Sequence, residues 1–172
     1  GVGLAAVLGA LSAGAATVIA ADINSQKRNI ALQLGAQYVI DPADSTSVQQ
    51  LKDLTGGGVD IAVEFAGVIN ALEFAYSATK RGGTTVTAGL PHPSKTFSLS
   101  PIVLVGEERT LKGADRGRCI PARDIPAYIA LYESGRLPVN KLLSETITLE
   151  QINEGFERLA SGNTIRQIIS FN

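Results

Sequence analysis

Residues 1–22 read GVGLAAVLGALSAGAATVIAAD, and their reading decides the fold. Val2 to Ala13 is rich in Ala and Leu and free of Pro, which predicts a helix, and Gly14 supplies its C-terminal stop. Thr17 to Ala21 is a short apolar run with β-branched residues, which predicts a buried strand ending at Asp22. Gly1-Val2-Gly3 is the point left open by pattern alone. It is either the start of a glycine-rich loop ahead of the helix or the end of one.

Working outward, the alternation repeats. Ser25 is the expected N-cap of a helix reaching Leu34 and closed by Gly35, and Asn24 reads as a helix cap rather than a ligand. Tyr38 to Ile40 is a second strand, Ser45 to Leu54 a helix, and Gly56-Gly57-Gly58 a turn. Val59 to Phe65 reads as a strand, Val68 to Thr79 as a helix, Arg81-Gly82-Gly83 as a turn and Thr84 to Leu90 as a strand. Prolines 91, 93 and 101 mark a loop, Ile102 to Gly106 a short helix, and Arg109 to Gly113 a last strand. Continuous apolar strands alternating with helices predict βαβ crossovers and a parallel, doubly wound α/β sheet with both faces covered. After Gly113 the βα alternation stops. A helix from Asp124 to Ser134, a strand from Ser144 to Thr148, a capped helix from Leu149 to Ala160 and a closing strand from Thr164 to Phe171 read as a separate C-terminal α/β tail.

Composition bounds the chemistry. The chain has 172 residues, 45% of them apolar, and a net charge of −1. That is enough for one domain with a sizeable core and too little basic character for nucleic acid or an anionic membrane. The apolar stretches are too short and too broken to span a bilayer, and no leader pattern is visible. One cysteine, Cys119, excludes an internal disulfide and suits a reducing compartment; the expected location is cytoplasmic. Cys119 and the single histidine, His92, fall short of the three or four ligands a zinc site takes. His92 reads as a loop residue, Cys119 as a buried or idle thiol, and Glu73, Glu107 and Glu108 as solvated charges.

Asp22 gives the opening its chemical sense. The dinucleotide fingerprint, G-x-G-x-x-G between a strand and a helix, sets pyrophosphate on the helix N-terminus, and a carboxylate about 20 residues on takes the ribose hydroxyls. If Gly1 is the first glycine the pattern is GxGxxA. If Gly3 is the last, the first two glycines lie ahead of this stretch. The segments GVGLAA, VIAADIN with Lys27, LGA, GVDIAVEFAG, VTAGLP, LKGA, INEGFERLASG and TIRQII occur in this order. Together they resemble the coenzyme-binding half and C-terminal tail of the zinc-type medium-chain alcohol dehydrogenases, along the whole chain. Gly3 stands nineteen positions before Asp22, as the last fingerprint glycine does in that family, which favours the second alignment.

The resemblance implies a Rossmann-like domain over residues 1–114, without its first strand, and a tail over residues 115–172 that packs on a catalytic domain outside this chain. It implies NAD as cofactor, with Asp22 on the adenosine ribose and repelling a 2′-phosphate, and Lys27 reaching the same ribose. Gly1, Val2 and Gly3 would lie under the pyrophosphate, with Arg166 crossing to it from the tail. Ala66 and Gly67 would face the nicotinamide-side ribose, Gly89 and Leu90 would bound the nicotinamide, and backbone groups of Leu90 and Ala114 would reach its carboxamide. Without the resemblance, Asp22 equally fits a solvated strand end, and Lys27 and Arg166 fit surface cations. Asp115-Arg116 departs from the apolar pair the family carries after Gly-Ala.

The implied reaction is reversible hydride transfer between an alcohol and NAD, with zinc held in the other domain and no catalytic residue or metal ligand in this chain. A zinc-free quinone or enoyl reductase is the rival enzyme, and Asp22 argues against it, since that branch prefers NADPH. A non-catalytic nucleotide-binding or dimerisation module is the rival from another class. The strand near Thr110 to Lys112 matches the family's edge strand, which implies a homodimer paired edge to edge. In the conventional order 3-2-1-4-5-6 the absent strand is central. Two unpaired strand edges are therefore expected, with Gln167 to Phe171 as a candidate to fill the slot.

Overall fold

The computed structural model describes residues 1–162 and 164–171. The nucleotide-binding part runs α1 (Val2–Ser12), β1 (Ile19–Ala21), α2 (Ser25–Leu34), β2 (Tyr38–Ile40), α3 (Ser47–Thr55), β3 (Val59–Glu64), α4 (Ile69–Ala78), β4 (Thr79–Thr87), α5 (Pro101–Gly106) and β5 (Thr110–Gly113). The tail adds α6 (Pro121–Glu133), β6 (Glu145–Thr148), α7 (Ile152–Ala160) and β7 (Gln167–Ser170). All strand pairs are parallel, in the groups β1-β2, β3-β4-β5 and β6-β7. The expected α/β class with parallel crossovers holds.

Among the described residues β1 pairs only with β2, and β3 only with β4, so each keeps one open edge, as the sequence reading expects. Ile61 and Val63 on β3 stand 65% and 45% exposed. Parallel strands ordinarily bury such residues on both faces. The candidate to fill the slot does not do so: β7 lies beside β6, with Gln167 opposite Glu145 and Ser170 opposite Thr148.

The tail also corrects the expectation that βα alternation stops at Gly113. β6, a 3-10 turn over Leu149–Gln151, α7 and β7 form a parallel βαβ unit. The turn is started by a capping box: the Thr148 hydroxyl accepts from the backbone of Gln151, whose side chain accepts from the Thr148 N–H. Leu142 of the tail joins Leu4, Val7, Leu8, Ala31 and Leu34 in one buried cluster, with Leu137 and Ile165 against it. Leu8 and Ala31 are almost fully enclosed there. Burial of these side chains, about 1.5–3 kcal/mol for each large one, fastens α1 to α2 and to the tail.

Three local corrections have physical causes. The cap of α2 is Asn24, as the helix-cap reading of that residue expects, and not Ser25: the Asn24 side-chain oxygen accepts from the backbone N–H groups of Gln26 and Lys27, satisfying donors that a helix start leaves free. β4 spans Thr79–Thr87 rather than Thr84 to Leu90. Thr79 ends α4 and enters the sheet at once because its hydroxyl donates to the Ala75 carbonyl at 2.8 Å and meets the Thr85 hydroxyl at 2.8 Å, both threonines being fully buried. The sheet register then shifts between Val59 and Ile61. Glu107 is not a free solvated charge. It pairs with the guanidinium of Arg109 at 2.5 Å, and that side chain, 7% exposed, also stacks on the Tyr76 ring and donates to the Tyr76 carbonyl.

Candidate functional site

In a doubly wound sheet ligands gather at the carboxyl ends of the strands. Asp22 follows β1 directly. Its backbone N–H donates to the Ile40 carbonyl at 3.3 Å, and one carboxylate oxygen accepts the Asn24 N–H at 2.8 Å. The carbonyl of Asp22 accepts from Arg28 at 2.6 Å, and the same guanidinium holds Asp41 at 3.0 Å. The Asp22 carboxylate is thus fixed at one oxygen by a turn, in the way a strand-end Asp is, while its neighbours keep the backbone rigid.

Around it stand the other expected residues of this half. Gly1 caps α1 without any side-chain cap, so the first N–H groups of the helix have no side-chain acceptor, as an anion site requires. The amino group of Gly1 has its pKa held below the ordinary value, first by burial, then by Lys27 and Arg166, with Asp22 acting in the opposite sense. A side chain built on Gly1 would lie 3.3 Å from the Ile165 carbonyl, so the tail reaches this helix end, whereas one built on Gly3 meets nothing within 4 Å. Val2 is exposed. The turn at Gly162 approaches Lys27, with a 3.7 Å gap from a side chain built there to the Lys27 Nζ.

The second half of the site is made by the ends of β3 and β4. Gly67 adopts φ +68°, and a side chain there would press within 3.0 Å of the Leu90 N and O. At Gly89 a side chain would strike the Gly67 backbone, 2.6 Å from its Cα, and lie 2.9 Å from the Glu64 carboxylate. Both positions require glycine because the two loops touch backbone to backbone. Ala66 is exposed, and Leu90 is 91% exposed. The Ala114 N–H donates to the Thr87 carbonyl at 2.9 Å. Of the Ala114 backbone groups, only the carbonyl is left to meet a carboxamide.

Sequence reasoning gave Glu64 no role beyond ending a strand. Its side chain, in a residue only 5% exposed, accepts the Gly67 N–H at 2.6 Å and the Thr87 hydroxyl at 2.9 Å. The signal available in advance was a charged residue closing the strand, three positions ahead of Gly67.

His92 lies exposed in its loop and bonds Ser94 at 2.8 Å. The Cys119 thiol is pushed up from its ordinary pKa by desolvation and then by Asp124. Among the described residues no cluster of three or more His, Cys, Asp or Glu side chains has the geometry to hold a metal ion, so the residues present do not fit a zinc site. No helix among them is long and apolar enough to cross a membrane.

Comparison with known proteins agrees with this architecture. Alcohol dehydrogenase 1 of Hordeum vulgare is 38% identical over 171 residues, which cover 98% of this chain and 45% of the relative. A solved alcohol dehydrogenase zinc-binding domain protein from Burkholderia ambifaria superposes with a TM-score of 0.94 at 33% identity, over 99% of this chain and 46% of the other. Benzyl alcohol dehydrogenase from Acinetobacter calcoaceticus does so with a TM-score of 0.94 at 30% identity, over 99% and 47%. The chain spans about half the length of the curated relatives it matches. The family profile described as zinc-binding dehydrogenase matches residues 1–134, and the chain belongs to that family.

Proposed function

We propose that this chain is the NAD-binding part of a zinc-dependent alcohol dehydrogenase. The observation that carries the reading is that the turn holding Asp22 and Lys27 packs against the tail at Gly162, while the tail at Ile165, beside Arg166, lies against Gly1 at the start of α1. A carboxylate suits two ribose hydroxyls and repels a 2′-phosphate; two cations and a helix N-terminus suit a pyrophosphate. Gly1, Val2 and Gly3 lie under the pyrophosphate. The close pair Gly67 and Gly89, with Ala66, Leu90 and the Ala114 carbonyl, receives the nicotinamide end. NAD supplies the hydride acceptor for oxidation of a small alcohol and, in reverse, the donor for an aldehyde or ketone. This chain's own contribution is to bind and orient the cofactor, and zinc is held by residues other than those described here.

On this reading residues 1–114 form the dinucleotide-binding domain, and residues 115–172 a segment that closes on it and packs on a catalytic domain. The protein works in the cytoplasm as a homodimer joined through β5, whose outer edge is unpaired among the described residues. The test is calorimetric titration of NAD and NADP into the purified chain, with Asp22→Ala beside it. The reading expects NAD to bind better than NADP, and the preference to vanish in Asp22→Ala. Equal affinity of the unaltered chain for both dinucleotides would refute the role of Asp22.

A further inference from the structure

The mutual position of the two loops that receive the nicotinamide end is set largely by one residue outside the expected site. Glu64 is the last residue of β3, and it joins both loops four times. Its backbone carbonyl accepts the N–H groups of Ala88 at 2.9 Å and Gly89 at 3.2 Å. One oxygen of its carboxylate accepts the Gly67 N–H at 2.6 Å and the other the Thr87 hydroxyl at 2.9 Å. Among the described residues no lysine, arginine or histidine lies in ion-pair range of it. A carboxylate 5% exposed and served only by neutral donors is costly to retain for stability alone. Isosteric packing with an apolar side chain would be the cheaper solution, so its bonds point to a positional role.

That role follows from the glycines. Because Gly89 already touches the Gly67 backbone, the two loops have no slack toward each other, and the Gly67 N–H bond prevents them from parting. We infer that Glu64 is a positioning residue, which fixes the gap between Gly67 and Leu90 and thereby the seat of the nicotinamide and its ribose, without touching the cofactor. The inference rests on the dinucleotide reading above. It adds a prediction that reading does not make: disturbing Glu64 harms only one end of the ligand.

The experiment compares NAD with ADP-ribose, which lacks the nicotinamide, by calorimetry on the whole chain and on Glu64→Ala and Glu64→Gln. Loss of the bond to Gly67 is expected to weaken NAD by about tenfold in Glu64→Ala, the equivalent of one charge-assisted hydrogen bond, with ADP-ribose affinity unchanged. Glu64→Gln keeps an acceptor for Gly67 and a donor for Thr87, and should restore most of the NAD affinity. Equal weakening of both ligands would mean a general structural role and overturn the inference, as would NAD affinity unchanged in Glu64→Ala. If Glu64→Ala fails to fold, Thr87→Val removes one tie only, and it must lower NAD affinity selectively or the inference falls. An unaltered chain that binds neither ligand would refute the dinucleotide reading itself, a separate and recognisable outcome.

Discussion

Removing the hydroxyl of Thr79 gives a sharp test of how β4 is held. The Thr79 hydroxyl donates to the Ala75 carbonyl, and that donation uses its single proton. Thr85 must therefore donate to Thr79 in the second bond, at 2.8 Å. Thr79→Val, nearly isosteric, breaks both bonds and strands a buried Thr85 donor. The Ala75 carbonyl also suffers, because the Thr79 N–H that would close the helix bonds the Tyr76 carbonyl instead. Each stranded buried group costs about 1–3 kcal/mol, so Thr79→Val should cost about 2–4 kcal/mol. For a chain of this size each kcal/mol lowers Tm by roughly 2–4 °C. Thr85→Val leaves Thr79 bonded to Ala75, and should cost only about 1 kcal/mol. The double variant removes the stranded donor and should be no less stable than Thr79→Val alone. The costs then fail to add by about 1 kcal/mol. Equilibrium urea unfolding followed by circular dichroism measures all three. A Thr85→Val variant as damaged as Thr79→Val, or strictly additive costs, would refute the assigned direction of the bonds.

Other consequences can be checked as directly. Gly89→Ala places a methyl against the Gly67 backbone, which cannot swing aside; it should cost about 1–3 kcal/mol by overpacking and lower NAD affinity more than ADP-ribose affinity, read by melting and titration. The Asp124 carboxylate is held at about 2, against an ordinary 3.8, first by Arg123 and then by the Ile120 N–H. Its folded pKa is depressed, so its stabilisation is complete above 3.8 and is lost as pH falls toward 2; acid unfolding curves of Asp124→Asn should lack that component. The Ala114 N–H points at β4, and strand alternation then puts the Leu111 N–H on the outer edge of β5. Light scattering should find a dimer for the unaltered chain and a monomer for Leu111→Pro, which deletes that outward donor; a monomeric unaltered chain would contradict the dimer.

The strands of the nucleotide-binding part were legible where β-branched and apolar residues cluster between turn signals, as at Thr17 to Ala21 and, interrupted by Asp60, at Val59 to Val63. Helix ends were legible where a residue type forces them: Gly35 stops α2 at φ +111°. Thr79 was misread because threonine suits a helix end as well as a strand, and only the Thr85 hydroxyl, six residues on, decides between them. The tail was misread because a 3-10 turn with a capping box separates β6 from α7 and blurs the crossover. Asp22, Lys27 and Arg166 came from a pattern spread over the chain. Residues 22 and 166 are far apart in sequence, so no local spacing could relate them; the contact of the tail at Ile165 with Gly1 is visible only in the fold. Glu64 escaped notice because its meaning lies in Gly67 and Thr87, one of them on the neighbouring strand.

The central claim is that one dinucleotide lies across both halves of the site. The most direct measurement is the amide chemical-shift change of the isotopically labelled chain on titration with NAD. The account predicts shifts at Val2 and Gly3, at Asp22 and Lys27, at Gly67, Gly89 and Leu90, and at Arg166. Shifts confined to the tail, or absent from the Gly67 and Leu90 loops while the Asp22 side responds, would contradict it.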